Sequence, residues 1–307
     1  MRLSIVIPVY NEVESIDILY QEIVQSIDTS EYEIIFIDDG STDGSSEKIA
    51  GLIQENQKLK LIQFYRNYGK SAALSEGFKQ ADGEYIVTMD ADLQDDPSEI
   101  KNLINKLEEG YDLVSGWKKN RKDPMSKRLP SKLFNFITRL FTSVKIHDFN
   151  CGLKIYRKSV IKTLEIYGGR HRYIPALAGQ KKFTVTEIIV NHRPREFGIT
   201  KYGGRRFFHG FFDLISVVFL SRYIQSPLYF FGQLGLLSFI AGFSVEGYIL
   251  YLKYVRGEPF ATHIALLIFG VLLIFIGIQF FSIGLIGEMI ANSNQDKESR
   301  IKKIYKV

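Results

Sequence analysis

Two long apolar segments near the C-terminus constrain the fold of this chain more than any other feature of its sequence. Residues 227–251 contain one acidic residue, Glu246, and residues 264–286 contain no charged residue. About 20 apolar residues in a helix cross the hydrocarbon core of a bilayer, and two such runs side by side are rare in soluble domains. We therefore predict two transmembrane helices, with Glu246 near an interface or against protein because lipid disfavours a charge.

Glycines recur every seven residues in the second predicted span, at Gly270, Gly277 and Gly284. Seven residues make close to two helical turns, so these glycines lie near one face and would let another helix approach closely. The approaching helix is either the first span or a helix of a second copy of the chain, so a homo-oligomer stays open.

The distribution of basic residues predicts the orientation of the spans. Lys and Arg are frequent before the first span and in the C-terminal tail, whereas the loop between the spans has only Lys253 and Arg256. Loops rich in Lys and Arg stay on the cytoplasmic side. We expect a multi-pass membrane protein with both termini and the N-terminal domain in the cytoplasm.

The first third of the chain alternates β-rich runs with helical patterns at about 12–27, 43–56, 70–81 and 97–109. This alternation predicts an α/β fold in which helices cover both faces of a mostly parallel sheet. Ligands of such sheets bind at the carboxyl ends of the strands. The candidate strands are Leu3–Val9, Glu33–Ile37, Lys60–Phe64, Glu84–Met89 and Asp112–Ser115.

An acidic cluster follows the fourth candidate strand, as Asp90-Ala91-Asp92-Leu93-Gln94. Two carboxylates two positions apart in extended chain point the same way, so both can face one Mg²⁺ or Mn²⁺. Such an ion would neutralise the charge that grows on a departing diphosphate. Taken alone, the pattern also fits a helix cap or a turn.

Three further motifs follow the other strands: SIVIPVYNE at 4–12, DDGSTD at 38–43 and RNYGK at 66–70. The carboxylates of Asp38 and Asp39 suit a base or ribose hydroxyls, and Lys70 at the start of a helix suits a phosphate. Independent turns do not explain why all four motifs stand at consecutive strand ends. A nucleotide site does.

With these residues the chain resembles family 2 glycosyltransferases of the GT-A fold, of the dolichyl-phosphate mannose synthase or bacterial polyprenyl-phosphate glycosyltransferase type. The resemblance covers about residues 1–210, and the two spans match the bacterial membrane-anchored branch, which implies a place in the bacterial cytoplasmic membrane. The matching stretches are IVIPVYNE at 5–12, DDGSTD at 38–43, RNYGKSAAL at 66–74, MDADLQDDP at 89–97 and DFNCGLKIYRKSV at 148–160.

The resemblance implies a nucleotide-sugar donor, with a UDP-sugar favoured and a GDP-sugar left open, and a polyprenyl phosphate acceptor, with undecaprenyl phosphate favoured. It also implies that Asp90, Asp92 and Gln94 surround Mg²⁺ or Mn²⁺, with Asp92 counted among the catalytic residues. Together with the strand-end pattern it gives a candidate nucleotide-binding set of Pro8, Tyr10, Glu12, Asp38, Asp39, Lys70, Asp90 and Ala91.

An acceptor phosphate is already ionised near neutral pH, with a second pKa of about 6, so it needs cations more than a strong base. In the family a Gly-Ser-Arg commonly ends the fifth strand, whereas here Ser115-Gly116-Trp117 does, and we favour Arg121 and Arg128 as the replacement. The alternative is that such cations are solvated or bind anionic lipid head groups. The candidates are Lys118, Lys119, Arg121, Lys127, Arg128, Arg195 and Lys201.

Two more positions follow from the resemblance. Asp148 matches an acidic position near the reaction centre, where it would orient the acceptor or assist proton transfer, unless it only caps a turn. Residues 195–204 resemble the Gly-x-Ser-Lys loop of the family, with Thr200 in the serine place. We predict that this loop is a lid over the diphosphate and that Lys201 contacts the reacting groups.

The expected domains are a GT-A domain at 1–204, an interfacial amphipathic helix at 205–226, the two spans within 227–287 and a basic tail at 288–307. Residues 131–146 place apolar side chains on one helical face, either a core-facing helix or an interfacial membrane helix. The single cysteine, Cys151, excludes an intrachain disulfide and a multi-cysteine zinc site.

The sequence thus predicts inverting transfer of a hexose or N-acetylhexosamine to a polyprenyl phosphate for cell-envelope glycan modification, with no nucleic-acid partner. The alternatives are another lipid or glycan acceptor and a non-catalytic membrane scaffold. A processive synthase is disfavoured because Trp117, the one tryptophan, lacks the Gln-x-x-Arg-Trp context.

Overall fold

The computed structural model describes residues 2–29, 31–119, 131, 135–140, 142, 144–164, 166, 170–194, 219, 223 and 226–294. The chain divides into two compact units, Met1–Ser221 and Arg222–Val307. The predicted site residues Arg121, Arg128 and Lys201 lie outside the described residues, as do the predicted lid and most of the predicted interfacial helix at 205–226.

The N-terminal unit contains a seven-stranded sheet in the order β3-β2-β1-β4-β6-β5-β7. Every pairing is parallel except the two that β6 makes with β4 and β5. The mostly parallel sheet and its first five strands are confirmed, whereas β6 and β7 were not predicted. The strands are β1 Leu3–Val9, β2 Tyr32–Asp38, β3 Leu59–Gln63, β4 Tyr85–Thr88, β5 Leu113–Trp117, β6 Lys154–Arg157 and β7 Val185–Ile189.

Helices cover both faces of this sheet. The four predicted helices are confirmed; the first begins at Ile16 and not near residue 12, because Val13–Ser15 form a turn. The helices are α1 Ile16–Ser26, α2 Ser45–Glu55, α3 Lys70–Gln80, α4 Ile100–Glu108 after a 3-10 turn at Pro97–Glu99, α5 at 135–140, α6 Lys158–Thr163, and α7 Ile174–Gln180 after a 3-10 turn at Arg170–Tyr173.

Strand β1 shows why the sheet is buried on both faces. Its residues Ile5 and Ile7 pack into a core with α1 and α4, while Val6, pointing the other way, packs into a second core with α3 and α6. Near-continuous apolar runs of this kind are typical of parallel strands covered on both sides. The loops at the strand ends are therefore held on a rigid support.

Helix α5 buries two polar side chains and exposes two apolar ones. Asn135 and Thr138 are 9% and 1% exposed, whereas Phe136 and Leu140 are 62% and 67% exposed. Asn135 is held inside because its Oδ1 accepts a hydrogen bond from the Phe149 N–H. On the predicted apolar face, Phe136 and Leu140 are thus exposed, whereas Val144 packs into a core cluster. Both interpretations of this segment stay predictions.

The C-terminal unit is a pair of helices, α8 at Pro227–Tyr254 and α9 at Ile264–Asn294, joined through a 3-10 turn at Phe260–His263. Both are long and apolar enough to cross a membrane. They extend the two predicted segments at their C-terminal ends.

The glycines of α9 lie against α8, which answers the question that the sequence left open. A Cβ placed on Gly277 would come within 3.0 Å of the Gly235 carbonyl oxygen, and one on Gly242 within 2.9 Å of the Gly270 carbonyl oxygen. The carboxylate of Glu246 lies over Gly270. Glu246 thus faces the second span, in agreement with its predicted place against protein.

Candidate active site

The loops that follow β1 and β2 are joined by hydrogen bonds from main chain to side chain. Asn11, in the left-handed region with φ +52°, donates its N–H to Ser41 Oγ at 2.9 Å and accepts from the Thr42 N–H at 2.8 Å. The Glu12 N–H donates to Ser45 Oγ at 3.1 Å. This network fixes the segment that carries Tyr10 and Glu12 beside the loop that carries Asp38.

Asp38, the last residue of β2, is fully buried. Its carboxylate accepts from the Ser41 N–H at 2.9 Å and from the Ser46 hydroxyl. Both oxygens therefore bond to the segment after β2, which the buried Asp38 side chain shapes. This geometry departs from its predicted place among the nucleotide-binding residues.

Asp39 connects the loop after β2 to the loop after β3. Its two carboxylate oxygens accept the N–H groups of Tyr68 and Gly69 at 2.6 and 2.9 Å. Burial raises the pKa of Asp39 despite these hydrogen bonds. Gly40, with φ +75°, permits the contact because a Cβ there would lie 2.5 Å from the Arg66 carbonyl carbon.

Lys70 begins α3 and forms an ion pair with Asp90, the first carboxylate of the acidic cluster. Both side chains are partly buried. Burial by itself would raise the pKa of Asp90, but the charges of Lys70 and Lys118 outweigh that effect and lower it to about 2. Asp90 is thus an anion in a strongly cationic setting, at the carboxyl end of β4.

The rest of the acidic cluster forms a tight turn. Leu93 is buried and adopts φ +59°, a conformation that costs energy for a residue with a side chain. Asp92 Oδ1 accepts the Gln94 N–H at 3.3 Å, and the Gln94 side-chain amide donates to the Arg193 carbonyl oxygen at 3.5 Å. The Ala91 carbonyl oxygen accepts the Ser15 hydroxyl at 2.6 Å, which anchors the turn to α1.

These residues fit a hard divalent cation. Asp90, Asp92 and Gln94 offer oxygen ligands, which Mg²⁺ and Mn²⁺ prefer. Within the described part of the chain no group of three or more His, Cys, Asp or Glu side chains could hold a metal unaided. Such ions commonly complete their shell with waters and substrate phosphates, so a site with few protein ligands suits a nucleotide-bound metal.

The segment that leads into β6 lies against Asp90. A Cβ on Gly152 would come within 2.7 Å of the Asp90 carboxylate, so a larger residue there would displace that carboxylate. In the same segment Asp148 is 2% exposed, and its Oδ1 accepts the Asn150 N–H at 3.1 Å. The Glu187 carboxylate of β7 accepts the His147 N–H at 2.7 Å and holds this segment to the sheet edge.

Trp117 stands where the family commonly has an arginine, and its ring stacks on His147 with 4.2 Å between centroids. The Lys119 ammonium also lies over the Trp117 ring, 5.4 Å from its centroid. Lys118 is different: it is largely buried and ion-paired with Asp95 at 2.8 Å. Lys118 is therefore not an exposed cation for the acceptor, contrary to the prediction.

Two other basic residues, Lys154, which is buried, and His171, which is partly buried, were missed. Lys154, the first residue of β6, is 4% exposed and donates to the Cys151 carbonyl oxygen. His171 Nδ1 lies 2.9 Å from the hydroxyl of Ser71, beside Lys70. A lysine inside an apolar strand run was a usable signal for Lys154, whereas nothing in the sequence pattern distinguishes His171.

Comparison with known proteins identifies the family. Residues 4–165 match the family described as Glycosyl transferase family 2. The chain is 37% identical over 302 residues to the dodecaprenyl-phosphate galacturonate synthase of Rhizobium johnstonii, covering 95% of this chain and 88% of the relative. It is 36% identical over 302 residues to the undecaprenyl-phosphate 4-deoxy-4-formamido-L-arabinose transferase of Salmonella paratyphi B, covering 97% and 91%.

Solved structures agree on the fold. Glucosyl-3-phosphoglycerate synthase from Mycobacterium tuberculosis, in complex with phosphoglyceric acid, superimposes with a TM-score of 0.57 at 19% identity, over 70% of this chain and 79% of that one. Its complex with Mn²⁺, UDP-glucose and phosphoglyceric acid gives a TM-score of 0.50 at 19% identity, over 64% and 72%. The fold is thus GT-A, and the chain belongs to glycosyl transferase family 2.

Proposed function

We propose that this glycosyltransferase moves a sugar from a nucleotide-diphospho-sugar to a polyprenyl phosphate, with inversion at the anomeric carbon. The observation that carries the proposal is the extent of the similarity. The two curated relatives match over 302 residues, so the match includes the helical pair α8–α9, and each is named for a polyprenyl phosphate acceptor. Undecaprenyl phosphate and a UDP-linked hexose or N-acetylhexosamine are the favoured substrates, and the product serves cell-envelope glycan modification.

Asp90, Asp92 and Gln94 would hold Mg²⁺ or Mn²⁺, in keeping with the Mn²⁺ and UDP-glucose bound to the fold neighbour. When bound, the ion neutralises charge on the departing diphosphate. Lys70 supplies a second cation at the first turn of α3, where the helix dipole also favours anions. The remaining donor contacts fall to Pro8, Tyr10, Glu12, Asp39 and the Ala91 main chain.

In the proposed reaction an acceptor phosphate oxygen forms a bond to the anomeric carbon as the bond from that carbon to the diphosphate oxygen breaks. The nucleoside diphosphate leaves with the bonding electron pair. Because the acceptor phosphate is already ionised, with a second pKa of about 6, no strong base is needed. Asp148 orients the acceptor, and Arg121 and Arg128 hold its phosphate. Lys201 contacts the reacting groups from the lid at 195–204, which closes over the diphosphate.

The acceptor is a lipid, and the proposal places the enzyme at the cytoplasmic face of the membrane. Helices α8 and α9 form a two-span hairpin with both termini in the cytoplasm, after a GT-A domain at 1–204 and an interfacial segment at 205–226. The exposed Phe136 and Leu140 of α5 support a second contact with the membrane surface.

Purified protein in detergent would be incubated with undecaprenyl phosphate and radiolabelled UDP- or GDP-sugars, with and without EDTA. We expect label to enter the organic phase from one donor, only with metal, and to be lost in Asp92→Asn. Transfer only to diacylglycerol or a polysaccharide would replace the acceptor. Nucleotide binding without transfer to any acceptor would favour a non-catalytic scaffold, and full activity of Asp92→Asn would contradict the metal assignment.

A further inference from the structure

A buried ion pair lies directly behind the acidic cluster. The Lys118 Nζ is 2.8 Å from Asp95 Oδ1, and the two side chains are 10% and 0% exposed. Lys118 follows β5 and Asp95 follows β4 by several residues, and β6 separates these two strands in the sheet. The pair therefore joins two loops that the sheet does not place side by side.

The second carboxylate oxygen of Asp95 bonds to the main chain of Asp90, a candidate metal ligand. Asp95 Oδ2 accepts the N–H of Asp90 at 3.3 Å. The main chain at the end of this turn is also held. Asp95 and His192 form an isolated antiparallel β-bridge, and the Gln94 carbonyl oxygen accepts the Arg193 N–H at 3.0 Å. Asp95 thus holds the turn through a hydrogen bond to the Asp90 main chain, while its charge is balanced by Lys118.

Stability alone gives little reason for this pair. Removing two charges from water costs about as much as their attraction returns, so well-packed apolar residues of similar size often serve as well. The exposed pair Lys101–Asp28, with 67% and 72% exposed side chains and 2.7 Å between its charged atoms, offers a comparison in the same unit. Neither Lys101 nor Asp28 belongs to the candidate site.

We propose that Asp95 and Lys118 are positioning residues for the divalent cation: they fix the backbone and the negative field of Asp90 without touching metal or substrate. The inference rests on the metal assignment of the proposed function. Outer residues that orient metal ligands commonly change metal affinity by about 10- to 100-fold when they are replaced.

The test uses the full-length protein in detergent and measures Mn²⁺ affinity directly, in the presence of UDP. The main variant is Asp95→Leu/Lys118→Met, which removes both charges and keeps the volume. We expect its unfolding temperature without Mn²⁺ to stay near that of the unchanged protein, and its Mn²⁺ affinity to fall about 10-fold or more. Raising the Mn²⁺ concentration should restore transfer, with the KM for the acceptor unchanged.

The matched control is Asp28→Leu/Lys101→Met, which should leave Mn²⁺ affinity unchanged. The isosteric Asp95→Asn variant covers the case in which the double variant does not fold, and it should weaken Mn²⁺ binding by about 3-fold or more. Affinity within about twofold of the unchanged protein in the folded variants would overturn the inference. If the variants lose Mn²⁺ but the unchanged protein uses no sugar donor, the inference stands and the proposed reaction fails.

Discussion

Gly152 is the residue at which the local backbone most directly constrains the candidate metal site. A Cβ there would lie 2.7 Å from the Asp90 carboxylate. In Gly152→Ala the carboxylate must move, because the neighbouring atom belongs to a short, partly buried side chain. We expect Mn²⁺ affinity, measured by titration calorimetry, to fall about 10-fold or more, as for other disturbed ligand shells.

Gly51 provides the control for this substitution. It lies on the exposed face of α2, and a Cβ there meets nothing within 4 Å. Gly51→Ala should therefore leave Mn²⁺ affinity unchanged and raise stability by about 0.5–1 kcal/mol, because alanine favours a helix over glycine. Unchanged Mn²⁺ affinity in Gly152→Ala would show that Asp90 is not held as the structure indicates.

His171 should make stability depend on pH. Burial, with a contribution from Lys70, lowers the pKa of His171 well below its usual 6.5. Below pH 6.5 the unfolded chain binds a proton that the folded protein excludes, so this contribution to stability is complete above pH 6.5 and is lost as pH falls. The loss is at most about 1.4 kcal/mol per pH unit.

His171→Asn removes this titration and keeps a polar side chain beside Ser71. Its unfolding temperature should therefore drop less than that of the unchanged protein between pH 7.5 and pH 5.5. An equal drop in the two proteins would mean that His171 is not the group responsible. Each protein is compared with itself, so a uniform loss of stability in the variant does not affect the result.

At the scale of elements, the sequence pattern was most informative where apolar runs were long. β1 and β2 are buried on both faces, and their Ile- and Val-rich runs have few other interpretations. β6 is four residues long and begins with Lys154, and β7 mixes polar and apolar residues without alternation at the sheet edge. Short strands of mixed polarity are formed by their neighbours in the sheet, which a local pattern cannot reveal.

In the candidate site, too, the sequence pattern predicted some residues and missed others. The motifs after β1 to β4 were predicted because strand ends meet at one edge of a parallel sheet. The buried ion pair of Lys118 was not, because a run of cations after a strand has the same pattern whether it is solvated or turned inward. Asp38 is likewise a residue type that often binds ligands, but here its carboxylate accepts hydrogen bonds from Ser41 and Ser46.

The contact between α8 and α9 depends on closely approaching backbones at Gly242. A Cβ there would lie 2.7 Å from Ile274 Cγ1 and 2.9 Å from the Gly270 carbonyl oxygen. Helices in lipid associate through such close packing and not through the hydrophobic effect. Gly242→Leu should therefore separate the helices, at a cost of about 1–3 kcal/mol, and increase amide hydrogen exchange in α8 and α9.

Gly247 is on the same helix, and a Cβ there meets nothing within 4 Å. Gly247→Leu should leave the exchange rates of both helices unchanged. Equal exchange in the two variants would contradict the close approach of α8 and α9 at Gly242.

For the whole molecule, the single cysteine makes the orientation in the membrane accessible to experiment. Cys151 is 1% exposed, and burial raises the pKa of its thiol to about 12. The thiolate is the reactive form, so Cys151 should not react with maleimides in the folded protein at neutral pH. A cysteine introduced at an exposed position is then the only thiol that a reagent detects.

The loop between α8 and α9 offers such a position at Arg256, which is exposed. If both termini are cytoplasmic, Arg256→Cys should be labelled in intact bacteria by a maleimide that does not cross the membrane. Ala50→Cys, exposed on α2 of the N-terminal unit, should be labelled only after the cells are opened. The reverse pattern would place the candidate site on the outer face, away from cytoplasmic nucleotide-sugars, and the proposed donor would then have to be abandoned.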